Sequence, residues 1–215
     1  MTTPANLVSS VLSIGGPTLK YEGSYSIYPG GGLSSISATL SLGTAKASRR
    51  IIAFVSSYDG VAHDISTPTL DGTTMTPVVY AGGGRAPAGL YIISKPVGAT
   101  GTFAWSANSG DADGAVCICY SLNDAVSGIP LFLSSSPNNS SPSVVVTGGD
   151  ATLAVSYGYD QGGSFALGTF SIPLTTDINL TRALSAHLSP AYPLTIAPGS
   201  YSAAYNGGLF IASWR

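Results

Sequence analysis

The stretch Arg50-Ile51-Ile52-Ala53-Phe54-Val55-Ser56-Ser57-Tyr58, closed by Asp59-Gly60, decides the fold. It is a near-continuous apolar run, rich in β-branched and aromatic residues and too short for an ordinary buried helix. That pattern reads as a central strand covered on both faces. Gly208-Leu209-Phe210-Ile211-Ala212-Ser213-Trp214 repeats it near the end of the chain. Helical signals are nearly absent, with one glutamate (Glu22), three lysines and no apolar recurrence at three and four positions sustained beyond two turns.

Outward from these runs the strands alternate. Leu153, Val155, Tyr157 and Tyr159 fall on one face of 151–159, with Thr152, Ser156 and Gly158 on the other, the period of a half-buried strand. Turn signals punctuate the chain at Gly30-Gly31-Gly32, Asp71-Gly72, Gly82-Gly83-Gly84, Gly148-Gly149-Asp150, Gly162-Gly163 and Asn206-Gly207. Asp71-Gly72 is the sharpest, because both central residues of a type I′ hairpin turn need positive φ. The pattern predicts an all-β protein: an antiparallel, jelly-roll-like β-sandwich of about a dozen strands. Residues 134–143, rich in Ser, Asn and Pro, read as a long loop inside a single domain spanning 1–215. Leu7 to Ile14, before the Gly15-Gly16-Pro17 break, reads either as the first strand or as an arm (1–16) that anchors on a neighbour's sheet edge.

Composition narrows the function. Charged residues make up 8% of the 215, against roughly 25% in an ordinary soluble protein, and neutral Ser, Thr and Gly replace them. Ten acidic and eight basic residues give a net charge of −2, which offers no electrostatic footprint for a phosphate backbone. No apolar run approaches the ~18 residues of a transmembrane helix. The N-terminal stretch lacks the basic flank of a secretory signal, so synthesis in a host cytoplasm is expected. Cys117 and Cys119 point to the same face of one strand, which suits two buried thiols better than a disulfide.

Reactive constellations are scarce. There is no G-x-S-x-G elbow and no phosphate-cradling Gly-rich loop. His63, beside Asp64, reads as a solvated loop residue, and His187 as an exposed strand residue. Asp111 and Asp113 alternate along a tight loop as Ca²⁺ ligands would, but the further acids of a Ca²⁺ loop are missing and an Asp/Gly turn explains them better. No catalytic residue, metal or cofactor is expected.

Twelve tyrosines against six phenylalanines leave aromatic faces as the source of a binding site. A sugar's C–H face stacks on a ring while its hydroxyls need planar polar partners. Tyr157, Tyr159 and Asp160, followed by Gly162-Gly163, meet that requirement within a few residues and form the expected ligand-binding patch. Trp105, alternating with Phe103, reads as core.

The order of elements between Arg50 and Leu122 carries a resemblance. The buried strand is followed by Pro68-Thr69-Leu70-Asp71-Gly72-Thr73-Thr74-Met75-Thr76-Pro77, by Ala88-Gly89-Leu90-Tyr91-Ile92-Ile93, by Pro96-Val97-Gly98-Ala99-Thr100-Gly101-Thr102-Phe103, and by an apolar strand ending in Tyr120-Ser121-Leu122. Over this third of the chain the sequence resembles small β-sandwich virion proteins of tailed bacteriophages and gene transfer agents. The resemblance implies a non-enzymatic structural or receptor-contacting particle component: a head decoration, head fibre or spike, or tail-tip protein, located in the virion. Its implied partners are copies of itself and other virion proteins, with host surface polysaccharide as a further candidate. The alternatives are a stand-alone carbohydrate-binding module and, behind it, a glycoside hydrolase or lyase, since any sandwich can supply two carboxylates.

Overall fold

A computed structural model of the chain describes residues 16–137, 144–146, 151–159, 175–179, 183–188, 194–196 and 206–215. Among them every regular element is a strand: β1 (Thr18–Ile27), β2 (Ser35–Ser41), β3 (Arg50–Tyr58), β4 (Thr69–Leu70), β5 (Thr73–Thr74), β6 (Thr76–Ala81), β7 (Ala88–Ser94), β8 (Thr100–Ser106), β9 (Gly114–Asn123), β10 (Phe132–Pro137), β11 (Val144–Val146), β12 (Ala151–Tyr159), β13 (Thr175–Asn179), β14 (Ala183–Leu188), β15 (Leu194–Ile196) and β16 (Asn206–Trp214). The expected N-terminal arm lies almost wholly outside the described residues.

The first half folds as one long ribbon doubled at Asp71-Gly72. Both turn residues have positive φ, 48° and 76°, as a type I′ turn requires. From that tip the two arms of the ribbon pair antiparallel as β4 with β5, β3 with β7, β2 with β8 and β1 with β9. Wrapping the ribbon yields two sheets, ordered β1-β9-β3-β7 and β2-β8-β4-β5. This is the strand order of a jelly roll. After β5 the chain leaves the smaller sheet at Met75, a buried residue, and continues as β6 on the edge of the larger sheet beside β7.

A further sheet, β10-β16-β12-β14-β13, covers the outer face of the larger jelly-roll sheet. The larger sheet is therefore the middle of three layers, and two separate cores flank it. Ile52, Phe54, Val116, Ile118, Tyr120 and Leu122 point to the outer sheet, meeting Leu153, Val155, Phe210 and Trp214. Ile51, Ala53, Val55, Cys117 and Cys119 point the other way, meeting Ile36, Leu70, Phe103 and Trp105. Burial on both faces is why β3 and β9 carry no polar alternation. The thiols of Cys117 and Cys119 are free, and burial raises both above the usual range.

Three expectations are corrected. Strand β12 is buried on both faces, with Thr152 and Ser156 as enclosed as Leu153, and the Thr152 hydroxyl donates to Ser213 Oγ at 3.0 Å. Asn206-Gly207 is no turn but the start of β16, paired with Tyr159 and Gly158. Glycine is needed at 207 because a Cβ there would come within 2.2 Å of the Tyr157 carbonyl oxygen. Finally, the Ser-rich loop begins later than read: residues 132–137 form β10, because a strand at a sheet edge needs only backbone partners and β16 supplies them.

Candidate functional site

The connection from β9 to β10 joins the middle sheet to the outer one and runs past the groove between their edges. Its backbone is pinned at both ends and in the middle. Arg50 Nη1 donates to the Ala125 carbonyl at 2.8 Å, the Val126 amide to the Arg215 carbonyl at 2.6 Å, Trp214 Nε1 to the Gly128 carbonyl at 3.1 Å, and the Leu131 amide to the Ser213 carbonyl at 2.7 Å. The side chains nevertheless face solvent: Val126 is 85% exposed, Ile129 79%, Leu131 58% and, at the start of β10, Leu133 41%. These are half of the eight large exposed hydrophobic residues found among the described residues, gathered in eight positions. Beside them lies a groove of about 380 Å³ between β6, β7 and the connection, lined mainly by Pro77, Val78, Ile92, Ile129, Pro130 and Leu133, with Arg50 also in its lining. A rigid backbone presenting clustered apolar side chains has the character of an association surface, because little conformational entropy remains to be lost on contact.

Tyr157, expected to contact a ligand, is a core residue instead. It is 2% exposed, and its ring lies 4.9 Å from that of Phe210 and 5.7 Å from that of Phe54. It shares the inward face with Leu153 and Val155, so the alternation that suggested a patch at the strand end places this ring in the interior. Tyr159 pairs through its backbone with Asn206, and its side chain lies outside the described residues, as does Asp160. Phe103 and Trp105 are core, as read.

His63 is also corrected: it is buried, not solvated. Its Nδ1 lies 3.2 Å from the Val61 carbonyl, which can only accept, so Nδ1 carries the proton and Nε2 accepts the Ser57 hydroxyl at 2.6 Å. A hydroxyl on a tautomer-locked imidazole is the opening arrangement of nucleophilic catalysis. Ser57 has no exposed surface, so in this conformation the pair ties the 59–63 loop to the end of β3. The side chain of His187 lies outside the described residues.

At the ribbon's open end Asp111 accepts the Gly32 amide and organises the Gly30-Gly31-Gly32 loop, whose three φ values are all positive. No group of three metal-ligating side chains occurs among the described residues. No described helix is long and apolar enough to cross a membrane.

Arg49 was not singled out from the sequence. It is fully buried, and all five guanidinium N–H groups are used: Nε donates to Lys95 O at 2.7 Å, Nη1 to Leu42 O and Gly43 O at 3.0 and 2.8 Å, Nη2 to Val97 O and Gly98 O at 2.8 and 2.7 Å. It clamps two loops to the start of β3. Ser48-Arg49-Arg50 looks like a solvated basic pair, and only the topology brings five carbonyls around the first of the two.

A three-layer antiparallel jelly roll with one pinned apolar connection is the class that fold and surface define. No family model, curated protein or solved structure matches the chain.

Proposed function

We propose that the protein is a non-enzymatic structural subunit of a phage-like particle, assembled in multiple copies through the apolar connection 125–133 and its groove. The observation that carries this reading is the pinned backbone of that connection beneath the outward side chains of Val126, Ile129 and Leu131. The occupant is a second copy of the chain. With ten acidic against eight basic residues, copies repel one another weakly, and little charge must be desolvated on contact. Closed rings of such contacts are the usual form of homo-oligomers. The jelly-roll order and the resemblance over Arg50–Leu122 support the virion setting. Tyr157 has no part in the proposal.

Native mass spectrometry and sedimentation velocity test it. The wild-type chain is expected to populate a defined oligomer at micromolar concentration, and Ile129→Asp with Leu131→Asp to return it to monomer with unchanged thermal stability. A wild-type chain that stays monomeric at high concentration and is absent from purified particles overturns the reading.

A further inference from the structure

Away from the apolar connection, at the far end of β6, Tyr80 stands 41% exposed and held by its hydroxyl. That hydroxyl donates to Asp64 Oδ1 at 2.8 Å and accepts the Ile65 amide at 3.3 Å. Asp64 Oδ1 also accepts the Gly83 amide at 2.8 Å. Asn108 completes the frame: its Oδ1 accepts the Asp64 amide at 2.6 Å, and its own amide donates to the Asp64 carbonyl at 3.0 Å. Glycine is demanded next door, because a Cβ at Gly82 would lie 2.1 Å from Asp64 Oδ1 and 2.6 Å from the Tyr80 ring. The Tyr80 ring walls a small pocket of about 140 Å³ with Ile65, Thr67, Pro77 and Tyr91. Burial, reinforced by the neighbouring carboxylate, pushes the Tyr80 hydroxyl up to about 12, so it remains a donor across the ordinary pH range.

This frame leaves particular groups unspent. Among the described residues Asp64 Oδ2 and the Asn108 side-chain NH₂ have no hydrogen-bond partner, one an acceptor and the other a donor, beside an aromatic ring whose orientation is already fixed. An acceptor and a donor carried by two residues that are hydrogen-bonded to each other can serve two hydroxyls of one sugar, and the ring matches the C–H face of a pyranose. Locking the tyrosine in advance lowers the entropy lost on binding. No charged side chain lines the pocket, and the nearest charge established at the Tyr80 hydroxyl is the Asp64 carboxylate, which disfavours uronates and other anionic sugars.

We propose that Tyr80, Asp64 and Asn108 form a binding site for one neutral pyranose residue of a polysaccharide, beside the open backbone of Gly83. Pro77 lines both this pocket and the apolar groove, but Tyr80, Asp64 and Asn108 take no part in the groove, so the site rests on residues the assembly role does not use.

The test uses the full chain against an array of neutral hexose, N-acetylhexosamine and uronate oligosaccharides. Any hit is followed by titration of that oligosaccharide in amide-resolved NMR. Neutral probes are expected to bind, with shifts concentrated at the Gly82 and Gly83 amides and the Asn108 side-chain NH₂. Tyr80→Leu is expected to weaken binding about tenfold or more without changing the melting temperature, and Tyr80→Phe to retain most of it, because the ring face survives. Absence of binding by any neutral probe, strongest binding by uronates, shifts located elsewhere, or full affinity in Tyr80→Leu each overturns the proposal. If Tyr80→Leu fails to fold, the shift map of the wild-type chain decides alone.

Discussion

Replacing Arg49 by Met keeps the length and apolar stem of the side chain and removes five donors at once. Each hydrogen bond from a charged donor nets roughly 1.5–3 kcal/mol, so a naive sum approaches ~7–15 kcal/mol. That sum is too large. The acceptors on Val97 and Gly98 sit on exposed loop residues and can turn to water, whereas the Leu42 carbonyl belongs to a fully buried residue and has no such escape. Counting the enclosed acceptor and the lost loop clamp gives about 3–5 kcal/mol, the range typical of deleting one partner of a buried charged network. Arg49→Lys keeps the charge but offers three donors from one point, which cannot span carbonyls on both loops, so it should recover less than half of the loss. Urea titration followed by tryptophan fluorescence reads both variants, with a midpoint about 1–3 M lower for Arg49→Met at unchanged slope. A midpoint within the equivalent of ~1 kcal/mol of wild type would refute the reasoning, and would mean that the loops hold their places without the guanidinium.

Two further outcomes are expected. In Gly89→Ala the new methyl would stand 2.6 Å from Tyr91 Cε2 and 2.8 Å from its hydroxyl, so the buried ring must move; a loss of about 1–3 kcal/mol in thermal unfolding, partly relieved in the Gly89→Ala, Tyr91→Leu double variant, checks it. Asp71 is held below the ordinary carboxylate range by the Thr102 amide and then by Lys95, whose Nζ lies 2.9 Å away. A depressed folded-state value means the stabilisation is complete above the unfolded value and disappears as pH falls through the folded one. Acid titration below about pH 4 should therefore cost the wild type more stability than Asp71→Asn, which keeps the positive φ but not the charge.

How much was legible in the residues follows from what each signal depends on. The turn at Asp71-Gly72 and the two-faced apolar run of β3 are local properties, and both stand in the structure as read. What local pattern could not carry is that the same turn is the tip of the entire ribbon, or that a third sheet covers the middle one. The polar side of β12 turns away from the middle sheet and is enclosed all the same, whereas Thr152 and Ser156 look solvent-facing only if nothing packs on them. Of the expected ligand patch, Tyr157 falls to the core: it was judged by its place near a strand end, and Phe54 of another sheet fills the space beside it, while the side chains of Tyr159 and Asp160 lie outside the described residues. The requirement itself, a ring with planar polar neighbours and glycines, reappears at Tyr80, Asp64, Asn108 and Gly82-Gly83. Those residues converge from three separate segments, a convergence no window of sequence displays. His63 and Arg49 were missed because their partners, Ser57 and five carbonyls, become neighbours only through folding.

The edges of the middle sheet bear on how copies would meet. An arm that extended this sheet would have to pair with β1 or β6, its two outer strands. Strand β6 is poorly suited, because Pro77 offers no amide and the register with β7 slips between Pro77 and Val79. Strand β1 is broken in the same manner, with a register shift between Tyr21 and Gly23 against β9. Irregularities of this kind interrupt the row of evenly spaced amides and carbonyls that strand addition requires, at both edges and near mid-strand. In the 125–133 connection the Ala125 and Gly128 carbonyls and the Val126, Ile129 and Leu131 amides are held within the chain while the apolar side chains are left outward. Association through side-chain packing is thus open where association through backbone pairing is obstructed, which favours a subunit that meets its neighbours at a fixed, limited contact over one that grows by continuing their sheets.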